Sequence, residues 1–116
     1  MPADAGLPQQ VAPLFRVDVH PEHDAVRLVP VGELDLATAG LLEKQLHELR
    51  SAGFDHVVLD LRELTFMDSS GIRVVGAEHR FAERAGHEFS LISGPPAVQR
   101  ALEVCGLLSL LNIDTV

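Results

Sequence analysis

Several residue types are scarce in this chain of 116 residues, and each scarcity excludes something. The single cysteine, Cys105, rules out a disulfide framework and a cysteine-based metal cluster, and it favours a reducing compartment. Tryptophan and tyrosine are absent, which removes two of the aromatics that stack on nucleic-acid bases. Lys and Arg number 9 against 17 Asp and Glu, and the net charge of -8 repels nucleic acids and anionic membranes. We therefore expect protein partners and no nucleic acid.

Long apolar runs are also missing. No stretch approaches the length of a membrane span, and the first residues have neither the basic start nor the apolar run of a signal peptide. We expect a cytoplasmic protein without membrane insertion, in which residues 1–13 form a flexible tail and residues 14–116 a single domain. His20 and His23 flank a proline turn with no third ligand in view, so we expect no metal and no cofactor.

The patterning that is present predicts an α/β domain. Alternation predicts a β-hairpin over residues 14–20 and 25–31, and the apolar run at 57–59 predicts a buried strand covered on both faces. Helical spacing and breakers predict helices over about 36–52, 69–84 and 95–105, the second with a core stripe of Val74, Ala77, Phe81 and Ala85. Short strands are expected over 87–92 and 112–116, and the apolar residues at 64–67 are expected to anchor a loop. This order predicts a mixed β-sheet with a hairpin start and helices packed on it.

Residues 57–75, VVLDLRELTFMDSSGIRVV, carry the candidate site. Asp68 is a good N-cap for a helix that begins at Ser69, so Ser69 and Ser70 lie in a first turn, where the helix dipole favours an added negative charge. A phosphate would be tolerated there, and Gly71 leaves room for another molecule to approach. The alternative is an ordinary helix start, since Asp and Ser are preferred at such positions. The local pattern does not distinguish Ser69 from Ser70.

Two further parts of the chain are expected to lie near these serines: the turn at Asp35 and the outward side of the second helix. Asp35 in GELD is placed to cap the preceding helix, and if the strands before Asp35 and Asp68 are parallel, both turns lie at one end of the sheet. Ile72, Arg73 and Gly76 are expected on a side of the second helix away from the core, which predicts a docking surface beside Ser69. Ile72 could equally pack under the preceding loop.

The segment LTFMDSSGIRVV after the strand VVLDL, together with VGELDLATA upstream, resembles the STAS domain of bacterial anti-sigma factor antagonists. The resemblance implies a STAS-like fold in which Ser69 is phosphorylated and Asp35 lies beside it. It also implies that the partner is an anti-sigma factor with serine kinase activity and that a serine phosphatase reverses the step. Arg73 stands where the family often has glycine or another small residue.

Three functions remain to be weighed. The leading one is an anti-sigma factor antagonist, which binds its partner when unmodified and releases it when Ser69 is phosphorylated. The alternative is a STAS scaffold subunit of a stress-sensing or lipid-transport complex. Catalysis has little support, because the DSSG motif lacks the Gly-x-Ser-x-Gly elbow and the chain has no GxxxxGK[ST] phosphate loop. We expect a regulator and kinase substrate that supplies no catalytic residue.

Overall fold

The structure is a computed structural model that describes residues 15–104, 106 and 112–114. The predictions for residues 1–13 and for Cys105 lie outside the described residues. The elements, in chain order, are β1 (Phe15–Pro21), β2 (Val26–Leu34), α1 (Ala39–Ser51), β3 (His56–Asp60), β4 (Leu64–Met67), α2 (Ser69–Ala85), β5 (Glu88–Ile92), α3 (Pro96–Val104) and β6 (Asn112–Asp114).

A mixed sheet forms the centre of the molecule. Its main order is β1-β2-β3-β5-β6, in which β1 and β2 form the predicted antiparallel hairpin and the remaining neighbours are parallel. The long strand β2 has two parallel partners, because Val26–Leu28 pairs with β3 while Gly32–Leu34 pairs with β4. The fold class is therefore the one predicted from the sequence.

One strand was missed. Residues 64–67, predicted to anchor a loop, form the short parallel strand β4, which pairs with β2 across an irregularity between Gly32 and Glu33. The prediction of a loop is wrong because four residues with both ends buried and the centre exposed show neither clean alternation nor a continuous apolar run. This strand brings the chain alongside β2 immediately before Asp68.

The helices form one layer, in which α1 contacts α2 and α2 contacts α3. In β3, Val57 and Leu59 are buried in the core, whereas Val58 between them is only partly buried. The opposite face of the sheet carries charged side chains, including the buried Asp60, so the expectation that this strand is covered on both faces is wrong. Among the helices within the described residues, none combines the length and hydropathy that a membrane span requires.

The core stripe of α2 differs from the predicted one. Val74 is buried as expected, but Ala77 and Ala85 are exposed and Phe81 is only half-buried. The buried residues of this helix are Ser70, Gly71, Val74, Val75, Gly76, Glu78 and Ala82. The buried stripe is rotated around the helix relative to the predicted one. It includes Glu78, which the sequence did not predict to be in the core.

Candidate functional site

The site lies where β2 and β4 end side by side. Glu33 pairs with Phe66 and Leu34 with Met67, and the Asp68 amide then donates to the Leu34 carbonyl at 3.2 Å. The parallel register therefore places Asp35 and Asp68 at the same end of the sheet. The predicted gathering of the two turns is confirmed for these strands, and its cause is the unpredicted strand β4.

Asp68 starts helix α2 as predicted. Its backbone is extended at φ -110° and ψ -168°, and its carboxylate Oδ1 accepts a hydrogen bond from the Ser70 amide at 2.8 Å. The Asp68 carbonyl accepts from the Ile72 amide at 3.2 Å and begins the helical ladder. At the other end, Gly86 adopts the left-handed conformation, with φ 73°, that terminates the helix.

The two serines of the first turn have different environments. Ser69 is exposed, whereas Ser70 is buried with 6% of its surface accessible. Only the first hydroxyl is therefore open to a second protein in this conformation. The structure thus separates two residues that the local sequence pattern could not separate.

Gly71 is needed for packing beneath the site. A Cβ built on this residue would lie 2.8 Å from Leu34 Cγ and Cδ2 and 2.8 Å from Met67 Cγ. Leu34 and Met67 are themselves buried, so the start of α2 approaches the ends of β2 and β4 as closely as a glycine allows. This role differs from the room for a visiting molecule that the sequence suggested.

The remaining residues of the predicted docking surface divide into two groups. Arg73 is exposed, while Gly76 is buried within the layer of helices. Ile72 is partly buried and packs against the core, so it is less exposed than a docking surface requires. Of the three docking residues predicted on α2, Arg73 is the exposed one.

Asp35 organises a turn and does not cap the helix. Its carboxylate Oδ1 accepts from the amides of Ala37 at 3.0 Å and Thr38 at 3.2 Å, and α1 begins only at Ala39. The prediction that a helix starts at about Leu36 is wrong, because residues 36–38 form a turn closed by bonds to the Asp35 side chain and carbonyl, and the helix continues regularly only from Ala39.

Thr38 was missed by sequence reasoning. Its Oγ1 donates to the Glu33 carbonyl at 2.8 Å and accepts from the Asp35 amide at 2.9 Å. These bonds close the turn and fix Asp35 next to the end of β2. The spacing Asp-x-x-Thr after a strand was the available signal, because side chains of both types bind nearby backbone groups.

Two large apolar side chains near this end of the sheet are exposed. Leu36, in the turn after Asp35, has 78% of its surface accessible, and Phe66 on β4 has 44%. Together with the acidic residues Asp35 and Asp68, they give the neighbourhood of Ser69 a mixed apolar and negative character. Such a surface suits contact with another protein.

Two buried carboxylates lie outside this site. Burial favours a higher pKa for Asp60, but hydrogen bonds and charge from Arg62, with a further hydrogen bond from Arg27, outweigh it and lower the pKa. Burial raises the pKa of Glu78, and the charge and hydrogen bond of Arg50 offset this only in part. Both carboxylates bind arginines: Asp60 binds Arg27 and Arg62, and Glu78 binds Arg50. Within the described residues, no group of three or more His, Cys, Asp or Glu side chains could hold a metal ion.

The fold and site define a class of small α/β domain, in which a serine at the start of a helix is presented at the carboxyl end of a mixed sheet. The chain belongs to the STAS domain family, whose model matches residues 16–116.

Relatives and solved structures agree with this assignment. The chain is 33% identical over 93 residues to the anti-sigma F factor antagonist of Paenibacillus polymyxa, covering 78% of this chain and 80% of that protein. It is 25% identical over 100 residues to the anti-sigma-B factor antagonist of Bacillus subtilis, covering 86% and 91%.

An anti-sigma factor antagonist from Mycobacterium paratuberculosis has the same fold, with a TM-score of 0.76 at 20% identity over 85% of this chain and 84% of that one. The antagonist SpoIIAA in its unphosphorylated form gives a TM-score of 0.73 at 20% identity over 88% and 87%.

Proposed function

We propose that this chain is an anti-sigma factor antagonist whose binding is controlled by phosphorylation of Ser69. The observation that carries the proposal is the exposed Ser69 hydroxyl beside the buried Ser70, at the end of the sheet shared by Asp35 and Asp68. Two relatives that cover most of the chain are named antagonists of anti-sigma factors, which supports the same partner class.

The unmodified chain would bind an anti-sigma factor through Ser69, the exposed part of the α2 start and the neighbouring turns at Asp35 and Asp68. Leu36 and Phe66 would supply apolar contact area at the edge of this surface, since both are exposed. Gly71 would contribute by letting the start of α2 approach Leu34 and Met67 closely, and Gly76 is buried and would contribute no direct contact. The bound anti-sigma factor would no longer hold its sigma factor.

The modification would be a phosphoryl transfer from ATP, catalysed by the anti-sigma factor acting as a serine kinase. A bond forms between Ser69 Oγ and the γ-phosphorus, the bond from that phosphorus to the ADP oxygen breaks, and the hydroxyl proton passes to the kinase or to solvent. Hydrolysis by a serine phosphatase would restore the hydroxyl. In this scheme the chain is a substrate and contributes no catalytic group.

Electrostatics makes the control plausible without a large conformational change. Phosphorylation adds about -1.5 to -2 charges, and a unit charge about 4 Å from a like charge near a protein surface costs about 4 kcal/mol before screening. One third of that energy weakens binding about tenfold. The phosphate would weaken docking because it would lie close to a negatively charged group of the partner.

The first test is phosphorylation in an extract of the native host with ATP, followed by intact mass and peptide mapping. We expect one added phosphoryl group in the unmutated chain and in Ser70→Ala, and none in Ser69→Ala. A phosphoryl group retained in Ser69→Ala would overturn the assignment. Absence of phosphorylation in all three, while the extract modifies a known substrate, would favour the scaffold subunit of a larger complex.

The second test measures binding to the anti-sigma factor by calorimetry, after that partner has been isolated from the host extract. Ser69→Ala is expected to bind like the unmodified chain, and Ser69→Asp at least several-fold more weakly, because it places a negative charge at the contact. Equal affinities for the two variants would contradict the electrostatic mechanism.

A further inference from the structure

We propose that Arg73 binds the phosphate carried by Ser69 within the same helix and thereby lengthens the lifetime of the phosphorylated form. The proposal rests on the function proposed above, because it concerns the modified state of Ser69. It adds an intramolecular partner for the phosphate and a residue that sets how readily the modification is removed.

The geometry of α2 carries the first step. Ser69 and Arg73 are four residues apart on one helix, and both are exposed. Side chains at this spacing lie one above the other, with Cβ atoms about 5 to 6 Å apart. The Cα–Cβ bonds of a helix tilt toward its N-terminus, so the side chain of Arg73 leans toward Ser69 and not away from it. A guanidinium on a three-carbon stem spans the remaining distance to a phosphate.

The availability of Arg73 carries the second step. Four other arginines are bound to carboxylates; these are Arg16, Arg27, Arg50 and Arg62. Arg73 has no ion-pair or hydrogen-bond partner for its side chain among the residues that the structure describes. Binding a phosphate would therefore not require Arg73 to leave an existing partner.

The acidic surroundings of Ser69 favour such a partner. Asp68 precedes the serine directly, and Asp35 lies at the end of the neighbouring strand, so a phosphate enters an acidic environment. The Ser70 amide at the start of the helix already donates to Asp68 Oδ1 at 2.8 Å and is not free for a phosphate. Arg73 is the basic residue of the first two turns, SSGIRVV, and arginine binds phosphate through two parallel N–H groups.

The test uses the full chain with phosphoserine incorporated at position 69 during translation, which requires no kinase. The phosphate is titrated by phosphorus-31 NMR in this chain, in Arg73→Gln and in Arg80→Gln. Arg80 is a matched control because it is exposed on the same helix, about 16 Å further along its axis from Ser69. Circular dichroism verifies that all three chains have the same fold.

Arg73 is expected to lower the second pKa of the phosphate by about 0.2 to 0.7 relative to Arg73→Gln, because a cation favours the dianion. Arg80→Gln should titrate like the phosphorylated parent, and the effect of Arg73 should shrink in 1 M salt. Identical titrations in all three chains would overturn the proposal.

The lifetime is measured with alkaline phosphatase as a non-specific probe. Phosphate should be released about two to five times faster from Arg73→Gln than from the parent or Arg80→Gln, because the ion pair no longer competes with the enzyme. Equal rates would overturn the effect on lifetime even if the titrations differ. Failure of this proposal can be distinguished from failure of the proposed function. The titration and the phosphatase assay use phosphoserine introduced during translation, so they give the same results even if the host extract never modifies Ser69.

Discussion

At the scale of single residues, the adjacent positions 69 to 71 lie in three different environments. Ser69 is exposed, Ser70 is buried and Gly71 lies against the ends of β2 and β4. The sequence predicted the cap at Asp68 because capping depends on residue type and local geometry alone. It could not assign the individual serines, because their exposure depends on the direction from which β4 enters the helix.

Gly71→Ala tests the close packing at the start of α2. The added Cβ would lie 2.8 Å from Leu34 and Met67, so we expect a loss of about 0.5 to 2 kcal/mol in the free energy of unfolding, after the helix propensity gained by alanine. Gly40→Ala on α1 is the control, since a Cβ there has no neighbour within 4 Å, and it should stabilise the chain by up to about 1 kcal/mol. Urea unfolding of both variants measures the difference, and changes of the same sign would contradict this account of Gly71.

At the scale of elements, the two central helices are joined by a polar contact in the core. Glu78 on α2 is 5% exposed and binds the guanidinium of Arg50 on α1, which also stacks over the Phe81 ring with its Cζ 4.4 Å from the ring centre. Burial raises the pKa of Glu78, so folding favours the protonated carboxyl group. The free energy of unfolding is therefore lower at a pH where Glu78 is ionised. The contact therefore orients α1 against α2 more than it stabilises them.

A double-mutant cycle separates these two roles. Arg50→Met leaves the Glu78 carboxylate buried without its partner, and we expect a loss of about 2 to 4 kcal/mol in the free energy of unfolding at pH 7. Arg50→Met combined with Glu78→Leu removes both charges and should regain most of that loss. Urea unfolding of the parent, Arg50→Met, Glu78→Leu and the double variant gives the coupling energy. A double variant as unstable as Arg50→Met would show that the pair itself stabilises the fold.

The same contact explains where prediction from sequence failed at this scale. The order of strands and helices, apart from β4, follows from alternation, helical spacing and Gly or Pro breakers, which are local signals. The rotation of α2 does not, because the burial of Glu78 depends on Arg50, a partner that lies 28 residues earlier in the chain. The start of α1 was likewise misplaced because the turn of Asp35 and Thr38 includes a bond to Glu33, five residues before Thr38.

At the scale of the whole molecule, the face of the sheet opposite the helices is held by charge. Asp60 on β3 accepts hydrogen bonds from Arg27 on β2 at 3.0 Å and from Arg62 after β3 at 2.8 Å, and Arg27 also binds Glu22 at 2.9 Å. These contacts connect the hairpin, the central strand and the connection that leads to β4. They hold the chain segment that leads through β4 to Ser69, on the side of the sheet that the helices do not cover.

This arrangement predicts how stability depends on pH. The pKa of Asp60 is lowered in the folded chain, so its contribution is fully present above the unfolded value, about 3.9, and is lost as the pH falls through the folded value. Asp60→Asn should therefore cost about 1 to 3 kcal/mol of unfolding free energy at pH 7, and the difference from the parent should shrink toward pH 3. Asp18→Asn is the control, because its pair with Arg16 is exposed and should change stability by less than about 0.5 kcal/mol. Urea unfolding at several pH values gives both curves, and a cost of Asp60→Asn that stays constant down to pH 3 would show that packing of the side chain, and not its charge, holds this face together.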